Sequence, residues 1–220
     1  MGQELDLLKA LPKSRRNVSA RAHAKTEHHI EVSRQYGEAY FDGPREYGYG
    51  GYRYDGRWVP VARDIVAHYG LRPGNRVLDV GCAKGFLVKD LLAACPGLEV
   101  FGLDISYYGL THSEPEARGR LVRGSADRLP FADGSFDFVI SLDTIHNLQR
   151  DRARAALSEI QRLSNGRAFV RVDSYRTEEQ RDIFENWVLT ANFHDYPDGW
   201  LKLFREAGYT GDYNWTIIAN

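Results

Sequence analysis

Short apolar runs and longer stretches of helical period alternate through most of this chain. Residues 77–80 are apolar except for Asp79 and break into Gly81-Cys82-Ala83-Lys84-Gly85, after which 86–92 resume with helical spacing. That order predicts a buried strand, a tight turn and a helix. Residues 98–103, 120–123, 136–142 and 168–172 read as further strands, while 150–163 and 178–190 have the period of amphipathic helices. The tail predicts one more helix over 197–207 and a closing strand over 214–219. Strands separated by helices point to an α/β fold with a doubly wound, mostly parallel sheet.

Upstream the pattern changes. Residues 59–69 form an amphipathic stretch with Pro60 in its first turn, which marks a helix start. Before it, Tyr36, Tyr40, Phe41, Tyr47, Tyr49, Tyr52, Tyr54 and Trp58 interleave with Gly43, Gly48, Gly50, Gly51 and Gly56, with no period of either kind. This predicts either a packed Ω-like loop or an aromatic lid, and its place just before the first strand favours the lid. The expected organisation is an N-terminal helical and aromatic cap over 1–58 and a second part over 59–220, together one compact unit.

Composition narrows the partners. The chain has 220 residues and a formal net charge of −1, so it presents no strong field to nucleic acid or an anionic membrane. A local basic run, Lys13, Arg15, Arg16, Arg21 and Lys25, reads as a solvated helix face or loose terminus, and His28-His29 as ordinary surface. Two cysteines suit a reducing compartment, and the acidic start Met1-Gly2-Gln3-Glu4 shows no signal peptide. The expectation is a cytoplasmic protein acting on a small molecule, with neither nucleic acid nor membrane as partner and with homo-oligomerisation left open.

The glycine turn and the next strand describe a nucleoside site. Val100-Phe101-Gly102-Leu103-Asp104 is an apolar run ending in a carboxylate, placed to accept both hydrogen bonds of a ribose diol. A dinucleotide fingerprint needs glycines at 81, 83 and 86, whereas the chain has Gly81, Ala83 and Phe86. That disfavours a pyrophosphate on the helix N-terminus and favours S-adenosyl-L-methionine, which has none to place there. A third stretch, Gly124-Ser125-Ala126-Asp127-Arg128-Leu129-Pro130-Phe131, followed by Ser135-Phe136-Asp137-Phe138-Val139-Ile140, completes the pattern. With it, residues from about 55 to 175 resemble class I S-adenosylmethionine-dependent methyltransferases.

The resemblance implies that Gly81, Ala83 and Gly85 hold the methionine end, Asp104 the ribose and Asp127 the adenine amino group. Asp79, Cys82, Ile105, Ser106, Ala126 and Leu142 complete the implied cofactor set. Ala83 departs from the usual glycine, and one closing strand is shorter than the family's two-strand ending, so the sheet is expected to lack a strand or to have an altered edge.

Acceptor chemistry belongs beyond the carboxyl ends of the strands, near Asp143, Thr144, His146, Asn147, Asp173, Ser174 and Tyr175. His146 is the first choice for taking a proton, although it could instead be a structural histidine bonded to backbone at a helix start; Asp143 is the first choice for holding a polar acceptor, although it could instead cap a helix starting near Thr144. No metal is expected: Asp143 and Asp173 could ligate magnesium, but Ser174 replaces the asparagine of the metal-dependent branch of the family. Ser141-Leu142-Asp143-Thr144 replaces the Asn/Asp-Pro-Pro-aromatic segment of enzymes that methylate flipped bases. The helix carrying Phe184, Trp187, Val188 and Leu189 reads as core or as a lid hinge. The function read from the chain is methyl transfer to an oxygen or nitrogen of a small polar metabolite of sugar, amino-sugar or nucleotide-linked-sugar type. The alternatives are a non-catalytic S-adenosylmethionine-binding regulator and, behind it, an NAD-dependent oxidoreductase.

Overall fold

The computed structural model describes residues 2–12 and 17–218. Three short helices, α1 (Val18–Ala24), α2 (Glu27–Ser33) and α3 (Glu38–Phe41), precede α4 (Val59–Tyr69). The alternating part follows as β1 (Arg76–Val80), α5 (Phe86–Ala94), β2 (Glu99–Asp104), α6 (Tyr107–Thr111), β3 (Leu121–Arg123), β4 (Phe138–Leu142), α7 (Arg150–Ser164) and β5 (Ala168–Ser174). The chain then adds α8 (Glu178–Trp187), α9 (Pro197–Glu206) and β6 (Asp212–Ile217). The strands form one sheet in the order β3-β2-β1-β4-β5-β6, parallel throughout.

Alternation along the strands divides the core into two layers. Leu78, Val80, Val139, Val170 and Val172 face one side, where they meet Ala153, Ala156, Leu157 and Ile160 of α7 and Trp200, Leu203 and Phe204 of α9. Val77, Val100, Phe138, Ile140 and Phe169 face the other, against Val61, Ala62 and Ile65 of α4 and Leu87, Val88 and Leu91 of α5. Both faces of the sheet are covered, which is why its strands are near-continuous apolar runs. Among the described residues no helix is long and apolar enough to cross a membrane.

The closing edge is altered, as the short tail implied. β6 pairs with β5 in parallel, and its outer edge is taken by the N-terminal segment: Leu5 N–H donates to the Tyr213 carbonyl at 2.9 Å and Tyr213 N–H to the Gln3 carbonyl at 3.0 Å. That covers backbone groups an edge strand leaves open.

Two expectations change. The helix predicted over 178–190 ends at Trp187, because Val188 turns extended and its N–H caps the Phe184 carbonyl. The basic run is not a solvated face where it is described: the Arg21 guanidinium lies 4.3 Å from the Trp187 ring centroid, and the Lys25 ammonium donates to the carbonyls of Val188, at 3.2 Å, and Glu185. Cations on the last turn of α8 satisfy carbonyls that have no helical partner. Lys13, Arg15 and Arg16 of that run lie outside the described residues, as does the end of the predicted closing strand at Ala219.

Candidate active site

A cavity of about 310 Å³ opens at the carboxyl ends of the parallel strands. Its floor is the end of β1 and the turn after it (Asp79, Gly81, Cys82, Ala83), the tip of β2 (Leu103, Asp104, Ile105), the loop after β3 (Gly124, Ser125, Ala126) and the end of β4 with the residues after it (Leu142, Asp143, Thr144). Its roof is the aromatic segment, through Tyr36, Tyr40, Phe41, Tyr49, Tyr52 and Trp58. Arg34, Asn147, Leu148, Arg152 and Asn192 close the sides.

The turn is shaped by left-handed backbone. Gly81 has φ +89°, and an added Cβ would overlap the Thr144 hydroxyl, so only glycine fits. Ala83 also has positive φ, +50°. This conformation aims its N–H at Asp104 Oδ2, 2.7 Å away, while Ser106 N–H reaches Asp104 Oδ1 at 2.7 Å. The carboxylate at the tip of β2 thus braces the glycine turn and keeps lone pairs for a ligand. Burial raises the Asp104 pKa, and the backbone N–H groups oppose that rise. Asp79, 4% exposed, is pushed up to about 7 by burial and by the charge of Asp104. Burial also raises the Cys82 thiol, which stays protonated.

Of the residues singled out in the sequence, Asp79, Gly81, Cys82, Ala83, Asp104, Ile105, Ala126, Leu142, Asp143, Thr144 and Asn147 line the cavity. Asp173, Ser174 and Tyr175, expected near the acceptor, are buried at the end of β5 and do not line it. Four others are also outside it. Gly85 is the left-handed N-cap of α5, packed on Ala117. Ser106 is buried: its Oγ accepts the Gly109 N–H at 2.8 Å and donates to the Tyr36 carbonyl at 2.6 Å, which ties roof to floor. The Asp127 carboxylate is bound by the Arg152 guanidinium, Nε to Oδ2 at 2.6 Å, and this bond holds its pKa below the usual carboxylate value. Arg152, rather than Asp127, lines the cavity.

His146 is the fourth. It lies in a single 3-10 turn (Ile145–Asn147), 4% exposed, with Nδ1 accepting the Asp173 N–H at 3.0 Å and Nε2 3.2 Å from Asp173 Oδ2. Both ring nitrogens are committed to β5, so the expected proton acceptor stands behind the cavity wall as a strut between β4 and β5. Asp143, at φ +53°, is also engaged, by Arg171 (Nε to Oδ1, 3.0 Å) and by the Thr216 hydroxyl at 2.7 Å. Desolvation opposes its ionisation, yet Arg171 holds it below the usual value. It caps no helix, and Thr144 caps the 3-10 turn without a side-chain bond. Among the described residues no group of three His, Cys, Asp or Glu could hold a metal ion.

Sequence reasoning passed over Arg34, Arg152 and Asn192. Arg34 donates to the Ala191 carbonyl at 3.1 Å, and the Asn192 amide donates to the Asn147 carbonyl at 2.7 Å. None stands in a motif, so no local signal could have found them. The roof is packed on itself and on α5: ring centroids lie 4.3 Å apart for Tyr49 and Tyr52 and 4.6 Å for Tyr52 and Phe86.

Residues 78–170 match the family described as a methyltransferase domain. A demethylmenaquinone methyltransferase from Beutenbergia cavernae is 41% identical over 184 residues, covering 71% of this chain and 73% of that protein. A malonyl-(acyl-carrier protein) O-methyltransferase from Legionella pneumophila is 35% identical over 76 residues, 33% of this chain, and the match spans only 27% of that protein's length. In a solved complex between the Haloferax volcanii Trm112 methyltransferase activator and a methyltransferase, one chain superposes with a TM-score of 0.56 at 24% identity, covering 67% of this chain and 66% of that one; this likeness concerns the fold. With the matched domain lying on the strands and turns that floor the cavity, and a relative this similar over most of both chains, the protein belongs to the class I methyltransferases, enzymes whose methyl donor is S-adenosylmethionine.

Proposed function

We propose that the chain methylates a nitrogen or oxygen of a small polar metabolite, of the sugar, amino-sugar or nucleotide-linked-sugar type, held beneath the aromatic roof. In this reading Asp104 binds the ribose, Ile105, Ala126 and Leu142 flank the adenine, and the turn from Asp79 to Ala83 holds the methionine end. The acceptor then lies between Tyr40, Tyr49 and Tyr52 on one side and Arg34, Asn147 and Asn192 on the other. The observation that carries the reading is this cavity, whose roof is aromatic and whose far side is polar.

In the transfer, the acceptor's lone pair forms a bond to the methyl carbon while the carbon–sulfur bond breaks, its electron pair staying on sulfur to give S-adenosylhomocysteine. Alignment of donor and acceptor supplies most of the acceleration such a site offers. The engagement of His146 by Asp173 and of Asp143 by Arg171 leaves neither poised as a base. That favours an amine over an alkyl alcohol, because a neutral amine becomes an ammonium on methylation and needs no proton acceptor during the step. A second reading, a planar hydroquinone-type acceptor, is favoured by the tyrosine walls and by the relative named as a demethylmenaquinone methyltransferase.

Calorimetry with S-adenosylhomocysteine, with NAD as control, should show cofactor binding that Asp104→Ala weakens by about tenfold or more, the loss expected when a charge-assisted pair of hydrogen bonds is removed. Labelled methyl transfer should then be assayed with glucosamine, glucose and a naphthohydroquinone. Transfer to glucosamine supports the first reading and transfer to the hydroquinone alone the second. Cofactor binding without transfer to any of the three would return the chain to the regulatory-binder alternative.

A further inference from the structure

Lys84 stands in the cofactor turn between Ala83 and Gly85, yet it is only 7% exposed and does not line the cavity. Its ammonium donates to Asp42 Oδ2 at 2.6 Å and to the Tyr52 carbonyl at 2.9 Å, and lies 5.7 Å from the Tyr108 ring centroid. Asp42 is the C-cap of α3 and follows Phe41 within the roof segment. Its Oδ2 also accepts the Tyr108 hydroxyl at 2.8 Å, and its Oδ1 accepts the Tyr52 N–H at 3.1 Å. One carboxylate and one ammonium therefore join the turn under the cofactor, the start of α6 and the strip of roof carrying Tyr52.

Stability alone does not account for this arrangement. A lysine is almost never buried without a partner, and replacing a buried ion pair by apolar groups of similar volume is often neutral or stabilising. What such a pair does supply is a single register between the surfaces it joins. The ends of the roof are already fastened, by Ser106 to the Tyr36 carbonyl at 2.6 Å and by Tyr54 to Asp90 at 2.6 Å. The middle, where Tyr49 and Tyr52 face the cavity, is fastened to the cofactor turn through Lys84 and Asp42. Desolvation opposes the charge on Asp42, but Lys84 and Tyr108 keep its carboxyl below the usual value, so the latch is closed at neutral pH.

We propose that Lys84 and Asp42 are positioning residues for methyl transfer: their ion pair holds Tyr49 and Tyr52 in register with the cofactor turn, and it opens before the cofactor leaves. This holds whatever the acceptor is. The test is S-adenosylhomocysteine release, followed by stopped-flow dilution, together with amide hydrogen exchange, for the native protein and for Lys84→Met, Lys84→Arg and Asp42→Asn. Lys84→Met and Asp42→Asn should release the ligand about tenfold faster or more, since losing a desolvated charge pair acts mainly on dissociation. The amides of Tyr49, Gly51 and Tyr52, bonded to the carbonyls of Tyr40 and Phe41, should exchange faster while those of β1 and β4 keep their protection. Lys84→Arg, which keeps the charge and the reach, should restore most of the slow release. Release within about twofold of native from folded Lys84→Met and Asp42→Asn proteins would overturn the proposal, because effects that small are not a broken latch. So would exchange that rises equally in β1 and β4, which marks general loosening. Should Lys84→Met fail to fold, Asp42→Asn decides the matter.

Discussion

Ala83 sits at φ +50°, in a region that costs a residue with a Cβ roughly 1 kcal/mol. Its N–H has to point at Asp104, and that need holds the strained conformation in place. Ala83→Gly should therefore leave S-adenosylhomocysteine affinity within about twofold and change stability by no more than about 1 kcal/mol, in the stabilising direction, as urea titration and calorimetry will show. Gly81→Ala should instead abolish cofactor binding, because its Cβ would meet Thr144 as well as an unfavourable φ. A second residue-level expectation concerns His146. With both nitrogens turned to Asp173, His146→Ala should lower stability by about 3 kcal/mol, the range for breaking a buried polar pair. At temperatures where the variant remains folded, its turnover should be near native. A selective loss of turnover in a fully stable variant would restore the catalytic role that the residue type suggested.

Among the elements, those with strong period were legible and those docked through distant partners were not. α7 buries Ala153, Ala156, Leu157, Ile160 and Leu163, the spacing of one helical face, and that face is visible in the sequence. The docking of α1 on α8 is not, because a run of cations looks the same whether it meets water or an indole. Arg21 and Arg45 lie 4.3 and 5.4 Å from the Trp187 ring centroid. Trp187→Ala should weaken this contact by about 1–2 kcal/mol, two partly exposed cation–π contacts. Limited proteolysis should then cut residues 18–34 sooner, while the melting of the sheet changes little. The closing edge follows the same logic: the short tail signalled a missing strand or an altered edge, and only the folded chain brings residues 3–5 against β6.

At the scale of the whole molecule the floor of the cavity ties stability to pH. Asp79 has a folded-state pKa of about 7, above its ordinary 3.8, so the folded protein holds this proton more tightly than the unfolded chain does. Its contribution to stability is fully present below about pH 4 and is lost as pH rises through about 7. Denaturant midpoints of the ligand-free protein should accordingly fall from about pH 5 to pH 8. A cofactor that sets its ammonium near Asp79 favours the ionised carboxylate, so S-adenosylhomocysteine binding should tighten over the same interval. Asp79→Asn should flatten both trends, and a native binding curve that is flat over that interval would refute the assignment of the methionine end to this side of the turn.

The strand, turn and helix around residues 77–86 and the carboxylate at 104 were readable directly, because their conformations depend on neighbours in the chain: apolar period, positive-φ glycine, an acid at a strand end. From these the parallel α/β architecture and the methyl donor follow. Which acids stay free for chemistry was not readable, since a carboxylate's role depends on the cation that reaches it through space. Arg171 meets Asp143 across 28 residues, Arg152 meets Asp127 across 25, and Lys84 meets Asp42 across 42. Each pairing is made by the folding of the sheet and its roof, and no spacing rule along the chain anticipates it. The family of the protein is thus written in contiguous segments, while the shape and charge of the cavity arise from contacts that exist only once those segments have packed.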